Sequence, residues 1–326
     1  MLYGKLKKKR CCGCGSLHSI KWGKQQNKQR FKCKNCGLLF TSRNDGVKNA
    51  NRFIWFEEWV AGRQTFVQIS KQSGYSERTL KRFFYDYLQR PPVLKFNSNY
   101  RVNLLIDGTY FSNNLCLVVY RDNTVKYTQL YRITDGEWYE EIREDLANIQ
   151  SMGVVIESVT SDGHRAILKA VRKQCKGTIL QRCLVHIQRM SRIWLSSRPK
   201  SEAGVSLRHI VSKLHTIENR EQWGYWIVSL IRWHKQHYAF LNEKSFNPYT
   251  QRYWYKHKFI RRSFTTIKRA LPDMFHYLDN PRIPKTTNGL ESFFGHLKSH
   301  LTVHRGLSKE HRKNFIKWYL FFRNQV

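Results

Sequence analysis

Residues 101–111 read RVNLLIDGTYF, and two similar runs follow closely, NLCLVVYRD at 114–122 and KYTQLYRIT at 126–134. All three are apolar or alternating and are separated by Asn and Asp, the pattern of short strands joined by tight turns. An antiparallel meander is therefore predicted from Tyr100 onward, with Asp107 at the end of the first apolar run. Downstream, WYEEIREDLANIQSMG (138–153) repeats Ile142, Leu146 and Ile149 at helical spacing and stops at Gly153. VVIESVTSD (154–162) reads as a buried strand that delivers Asp162, HRAILKAVRKQ (164–174) as a helix, and GTILQR (177–182) as another strand.

Three meander strands, helix, strand, helix, strand is the element order of an RNase H-like α/β sheet. That fold sets one catalytic aspartate on its first strand and another just after its fourth, the positions of Asp107 and Asp162. A third acid, Glu291, lies in TTNGLESFFGHLK (286–298), an aromatic-rich helix entered after Pro281 and Pro284. Three carboxylates brought together from separate elements can hold two divalent cations about 4 Å apart, an arrangement that stabilises attacking and leaving oxygens together. Each acid also has an ordinary reading: Asp107 as a turn residue, Asp162 as a helix cap, Glu291 as a solvated helix residue.

Charge defines the substrate. Lys and Arg number 58 against 23 acids, a net charge of +35, far more than solubility requires. Residues 1–52 hold fourteen Lys and Arg and one acid, Asp45, so most of the excess is spread over the rest of the chain. A polyanion contacted along much of its length, double-stranded DNA, is the expected partner. A hydrophobic content of 41% with 14% aromatics implies a large packed core rather than a basic tail. No apolar run approaches the roughly 18 residues of a membrane span, and the basic N-terminus is followed by no signal-like apolar stretch. A cytoplasmic, reducing location is expected, with nucleoid association if the source is a prokaryote.

Five of the eight cysteines precede residue 37. Cys11 with Cys14 and Cys33 with Cys36 form two CxxC pairs at a spacing suited to one structural Zn²⁺ in a ribbon spanning 1–45. Cys12 offers a competing pairing with Cys14. The linking segment is expected to form a hairpin with Gly23 in its turn, and Gly15 and Gly37 to permit tight knuckles. Residues 46–95 read as a helix-turn-helix module. NRFIWFEEWVAG ends at Gly62, TFVQISKQSG turns at Gly74, and Ser76 caps a third helix. Ile69, Tyr75, Leu80 and Phe84 are expected to face inward, with Arg78, Lys81 and Arg82 projecting toward DNA. Pro91 and Pro92 mark a linker.

The sheet is expected to occupy 96–190. Residues 191–280 are expected to form an all-α insertion without strands, in which Trp223, Trp226, Trp233 and Trp254 are mostly core. Residues 281–326 return helices to the sheet. His164 and Arg165 follow Asp162 closely enough to meet a phosphate, and Lys298 and Arg305 are candidate DNA contacts beyond Glu291.

Taken in order, DGTYF, SDGHRAI, CLVHIQR and TTNGLESFFGHLK resemble the Mutator-like DDE transposases and their bacterial insertion-sequence relatives. The resemblance spans residues 100–326. It implies a catalytic triad of Asp107, Asp162 and Glu291 holding two Mg²⁺ or Mn²⁺ ions, Asp107 bridging them. It also implies cleavage and strand transfer at terminal inverted repeats, target DNA as a second partner, and a dimer or larger synaptic assembly. The family's Cys-x-x-His pair falls on Cys183 and His186, for which a structural or substrate-positioning role is expected. The ribbon occurs only in some branches of the family. Two other readings share these features: a transposase-derived DNA-binding regulator that does not cleave, and a metal-dependent nuclease with the same core.

Overall fold

The computed structural model describes residues 9, 11, 16–25, 28–41, 45–94, 101–112 and 114–325, with no side-chain description for 45–51. It divides into two compact units, 1–90 and 91–326. Among the described residues there are twelve α-helices and a five-stranded mixed sheet, and no helix is long and apolar enough to cross a membrane.

In the first unit, β1 (Ser19–Gln25), β2 (Lys28–Cys33) and β3 (Leu39–Thr41) form a three-stranded antiparallel sheet. Gly23 is not in the hairpin turn. It lies inside β1 at φ +65, where the register with β2 shifts between Lys21 and Lys24, so its left-handed backbone serves a bulge. Gln25 pairs with Lys28, and residues 26 and 27 lie outside the described residues. Three helices follow, α1 (Asp45–Ala61), α2 (Phe66–Ser73) and α3 (Glu77–Leu88). Thr65 and Gln68 form a capping box at the start of α2, Gly74 ends it at φ +72, and the Ser76 hydroxyl accepts from Thr79 N–H to start α3. Phe56, Trp59, Ile69, Leu80, Phe84 and Leu88 are fully buried between them. Tyr75 is half-buried, while Arg78, Lys81 and Arg82 are exposed.

The second unit is built on β4 (Arg101–Phe111), β5 (Leu115–Asp122), β6 (Tyr127–Thr134), β7 (Val155–Ser161) and β8 (Ile179–Arg182), in the order β6-β5-β4-β7-β8. The meander pairs are antiparallel, and β4–β7 and β7–β8 are parallel. Helices α4 (Tyr139–Ser151) and α5 (Arg165–Gln174) make the two parallel crossovers. They cover one face of the sheet, where Val102, Leu104, Ile106, Val118 and Tyr120 pack with Ile142, Leu146, Ile149, Ile167 and Val171. Near-continuous apolar runs in β4 and β5 reflect burial of both faces.

Beyond β8 come α6 (Leu184–Leu195), α7 (Glu202–Ser212), α8 (Arg220–Gln236), α9 (Tyr238–Asn242) and α10 (Lys258–Ala270). Their own core contains Leu207, Leu214, Trp226, Leu230, Trp233 and Ile267. The strand-free expectation fails here. Lys244–Asn247 (β9) and Arg252–Tyr255 (β10) pair antiparallel in a hairpin, which the high aromatic and basic content had disguised as helix. Trp254 stands on this hairpin 49% exposed, unlike Trp226 and Trp233. Finally, α11 (Asn288–Val303) and α12 (Lys309–Arg323) return to the sheet. Asn324 closes the free edge of β6, its side chain both accepting from Thr128 N–H and donating to Thr128 C=O at 2.9 Å.

Candidate active site and cysteine cluster

Strand register brings two of the acids together. β4 and β7 run parallel with Ile106 opposite Ser161, so the next residues on each strand, Asp107 and Asp162, stand side by side at roughly the 4.8 Å strand spacing. Asp107 lies within β4, which continues to Phe111, rather than at its end. The residue is 8% exposed, and its carboxyl is pushed up to about 7, chiefly by burial and then by the negative charge of Asp162, with His186 opposing. Asp162 follows β7 and accepts at 2.7 Å from the N–H of His164, the residue just before α5. His164 and Arg165 are exposed beside it. Between Asp162 and His164, Gly163 sits at φ +96 with the Arg182 guanidinium where a Cβ would stand; any side chain there would evict the arginine. Arg182 donates toward the Asp162 carbonyl at 3.4 Å, and its Nε is buried with no hydrogen-bond partner among the described residues.

Glu291 arrives in the first turn of α11. The helix start approaches β4 closely, since a Cβ at Gly289 would lie 3.6 Å from Leu105. The segment before it is pinned by Thr160, whose hydroxyl donates to Pro284 C=O at 2.9 Å, and by Leu184 N–H, which donates to Lys285 C=O at 3.1 Å. The Glu291 carboxylate accepts two hydrogen bonds from Arg189, at 3.2 and 2.9 Å, and His186 Nε2 lies 3.5 Å away. Among the described residues the three carboxylates do not close to within 4.8 Å of one another. Like charges repel, and Glu291 here takes a guanidinium as its counter-ion.

Cys183 and His186 form the joint behind this arrangement. Cys183 is the residue before α6 and is fully buried; its sulfur accepts from Thr287 N–H at 3.3 Å and Thr287 Oγ1 at 3.4 Å. Thr287 Oγ1 also lies 3.4 Å from His186 Nδ1. Burial raises the Cys183 thiol, but hydrogen bonds from His186 and Thr287 outweigh it and the net is a lowered value. Burial lowers the His186 imidazole, and the bond to Cys183 with the charges of Cys183, Asp162 and Asp107 reverses that to a net rise. The pair therefore docks α11 against α6, with a positively biased imidazole between Asp107 and Glu291.

Three residues near the acids were not singled out from sequence. Arg189 belongs to CLVHIQR and repeats the three-residue step from Cys183 to His186, so the signal was present. Glu137 precedes α4 and lies outside every motif quoted above. Its carboxyl lies against Gly108, where a Cβ would meet Glu137 Cδ at 2.7 Å, and Tyr110 O–H donates to it at 3.4 Å. One Glu137 oxygen is buried without a partner among the described residues, and burial followed by the charge of Asp162 raises its pKa despite His164. Arg182 had no motif to mark it. Lys298 and Arg305 are exposed, and Lys298 extends over the Phe111 ring.

In the other unit, the sulfurs of Cys11, Cys33 and Cys36 all lie within 4.8 Å of one another, with Cys11 and Cys36 at 3.6 Å. Thiolates about 2.3 Å from a tetrahedral zinc stand roughly 3.8 Å apart, so this group is compatible with zinc. Gly37, at φ +72, turns the Cys33 knuckle, donating its N–H to Cys33 C=O at 3.0 Å. Cys14, Cys12 and Gly15 lie outside the described residues.

No curated protein matches the chain. Residues 130–268 match the family model described as Transposase, Mutator family, a stretch from the second residue triplet of β6 into α10 that includes Asp162, Cys183 and His186. Over those residues the chain is similar to the Mutator-family transposases, the family that its motifs resemble.

Proposed function

We propose that the protein is a DDE transposase of an insertion sequence, cutting DNA at terminal inverted repeats and joining the freed 3′ end to target DNA. The observation that supports this reading is the β4–β7 register, with Ile106 opposite Ser161 and so Asp107 and Asp162 next in line, in a mixed sheet of order β6-β5-β4-β7-β8. Glu291 is the third ligand, held in reserve by Arg189. The donor set suits hard cations: one buried carboxyl raised to about 7 by burial and a neighbouring acid, and a buried Glu137 oxygen with no partner among the described residues. Two Mg²⁺ or Mn²⁺ ions bound there would activate the attacking hydroxyl and stabilise the leaving 3′-oxygen. The chain's own part is positioning. Asp107 and Asp162 fix the strand to be cut, His186 and Arg189 hold Glu291 until a cation replaces them, and His164, Arg165 and Arg182 meet phosphate beyond Asp162.

A zinc ribbon over Cys11, Cys14, Cys33 and Cys36 and a helix-turn-helix over α1–α3 serve as the sequence-reading module, with exposed Arg78, Lys81 and Arg82 on α3 facing DNA. The working form is a dimer or larger assembly that pairs two element ends. The test is a strand-cleavage and strand-transfer assay on labelled terminal-repeat duplexes. Asp107→Asn, Asp162→Asn and Glu291→Gln are each expected to abolish Mg²⁺-dependent cleavage while leaving duplex binding near normal. Cleavage retained in any of them removes that residue from the site, and cleavage without transfer by the native protein favours the nuclease reading.

A further inference from the structure

Beside Asp162 opens a cavity of about 590 Å³ walled by two helix faces and the turn after β7. From α6 come His186, Met190 and Trp194, four residues apart and so on one face. From α10 come Lys258, Arg262, Thr265, Thr266 and Arg269, again a single stripe, opposite the buried Ser263, Ile267 and Ala270. Among the described residues, Asp162 is the only acid in the lining. Among the described residues, none of Arg165, Arg182, Lys258, Arg262 and Arg269 has a carboxylate within the 4.0 Å of an ion pair. Elsewhere arginines do find acids, as Arg189 finds Glu291 and Arg172 finds Asp273. Concentrated, uncompensated positive charge in a concave site calls for a polyanion.

Size and aromatic content narrow the choice. The volume lies within the roughly 300–1,000 Å³ of clefts that hold small ligands, room for an unpaired nucleotide or two but not for a duplex. Trp194 is half-buried in the wall with the Arg262 guanidinium 4.8 Å from its ring centroid, and Arg261 lies 3.8 Å from that of Tyr255. A basic groove with aromatic rings is how proteins hold single strands, phosphates on the cations and bases against the rings.

We propose that this groove is a subsite for an unpaired stretch of DNA running on from the strand at Asp162, with Arg262 and Arg269 on phosphates and Trp194 as the ring a base lies against. The inference rests on the transposase reading and adds that the element end is frayed when it is held. It is tested by fluorescence anisotropy on the full-length protein without added divalent cation. A blunt duplex end is compared with the same end carrying a five-nucleotide single-stranded tail. The native protein is expected to prefer the tailed end. Trp194→Ala should cut tailed-end affinity about tenfold, the size of one lost base stack, and Trp194→Phe should restore most of it. Arg262→Ala with Arg269→Ala should reduce the salt slope on the tailed end by about 1.4, two phosphates' worth on a single strand. Blunt-end binding should be unchanged in all three, which also reports that they fold. Equal losses on both ends, or no loss on the tailed end, would overturn the proposal. Because no cleavage is read, failure of the catalytic reading leaves this outcome separate.

Discussion

Asp107→Asn should make the metal-free protein more stable, not less. The native carboxyl is raised from its ordinary 3.8 to about 7, first by burial and then by Asp162. At about 1.36 kcal/mol per unit, that rise corresponds to an upper figure of about 4 kcal/mol. The sign follows from linkage. The folded state holds the proton more tightly than the unfolded chain does, so no penalty exists below the unfolded pKa. Stability is then lost as pH rises toward the folded value and levels off above it. Most of that loss, roughly 2 to 3 kcal/mol, falls between pH 5 and 8. Asparagine carries no charge to bury and removes the whole penalty. Urea denaturation at pH 5 and pH 8 in Mg²⁺-free buffer checks this through the difference between the two proteins, which is expected to grow by about 2 to 3 kcal/mol over that interval. Saturating Mg²⁺ at pH 8 should then stabilise the native protein by about 2.7 kcal/mol at one hundred times its dissociation constant, and the variant hardly at all. A pH-independent difference, or a variant no more stable than the native protein at pH 8, would refute the burial argument.

Arg189→Ala removes a half-exposed guanidinium that competes with a cation for Glu291. Mn²⁺ affinity measured by calorimetry should rise several-fold with a stability change under about 1 kcal/mol, and weaker Mn²⁺ binding would show that Arg189 positions the ligand instead. Glu137→Gln takes a carboxylate from beside the pair and should weaken Mn²⁺ binding without altering DNA affinity; unchanged Mn²⁺ binding would confine Glu137 to a packing role against Gly108. Cys33→Ser should lower zinc content from one ion per chain to none and impair recognition of the element end, as read by elemental analysis and gel shift, whereas full zinc content would exclude Cys33 as a ligand.

Periodicity made the sheet legible. Alternation and apolar runs marked all five of its strands, and the helical repeat of Ile142, Leu146 and Ile149 marked α4, because burial on a regular lattice leaves a regular sequence trace. Caps were equally plain: Ser76 and Gly74 do what their chemistry allows. The β9–β10 hairpin was not legible, since its strands are four residues long and largely exposed and so leave no apolar alternation. The Gly23 bulge escaped for a related reason, a glycine in a hairpin being compatible with turn or strand until register is known. At the candidate site, the acids were visible through their motifs, whereas the ion pair between Arg189 and Glu291 and the contact of Glu137 with Gly108 depend on residues remote in the chain that only the fold brings together.

The central claim is that Asp107, Asp162 and Glu291 hold two divalent ions. Electron paramagnetic resonance of the native protein titrated with Mn²⁺ is the direct measurement. The account predicts two bound ions per chain with a spin-coupled signal, and loss of that coupling in Asp107→Asn, Asp162→Asn and Glu291→Gln alike. A coupled two-ion signal that survives in any of these variants, or native protein that binds no Mn²⁺ pair with DNA present, would contradict it.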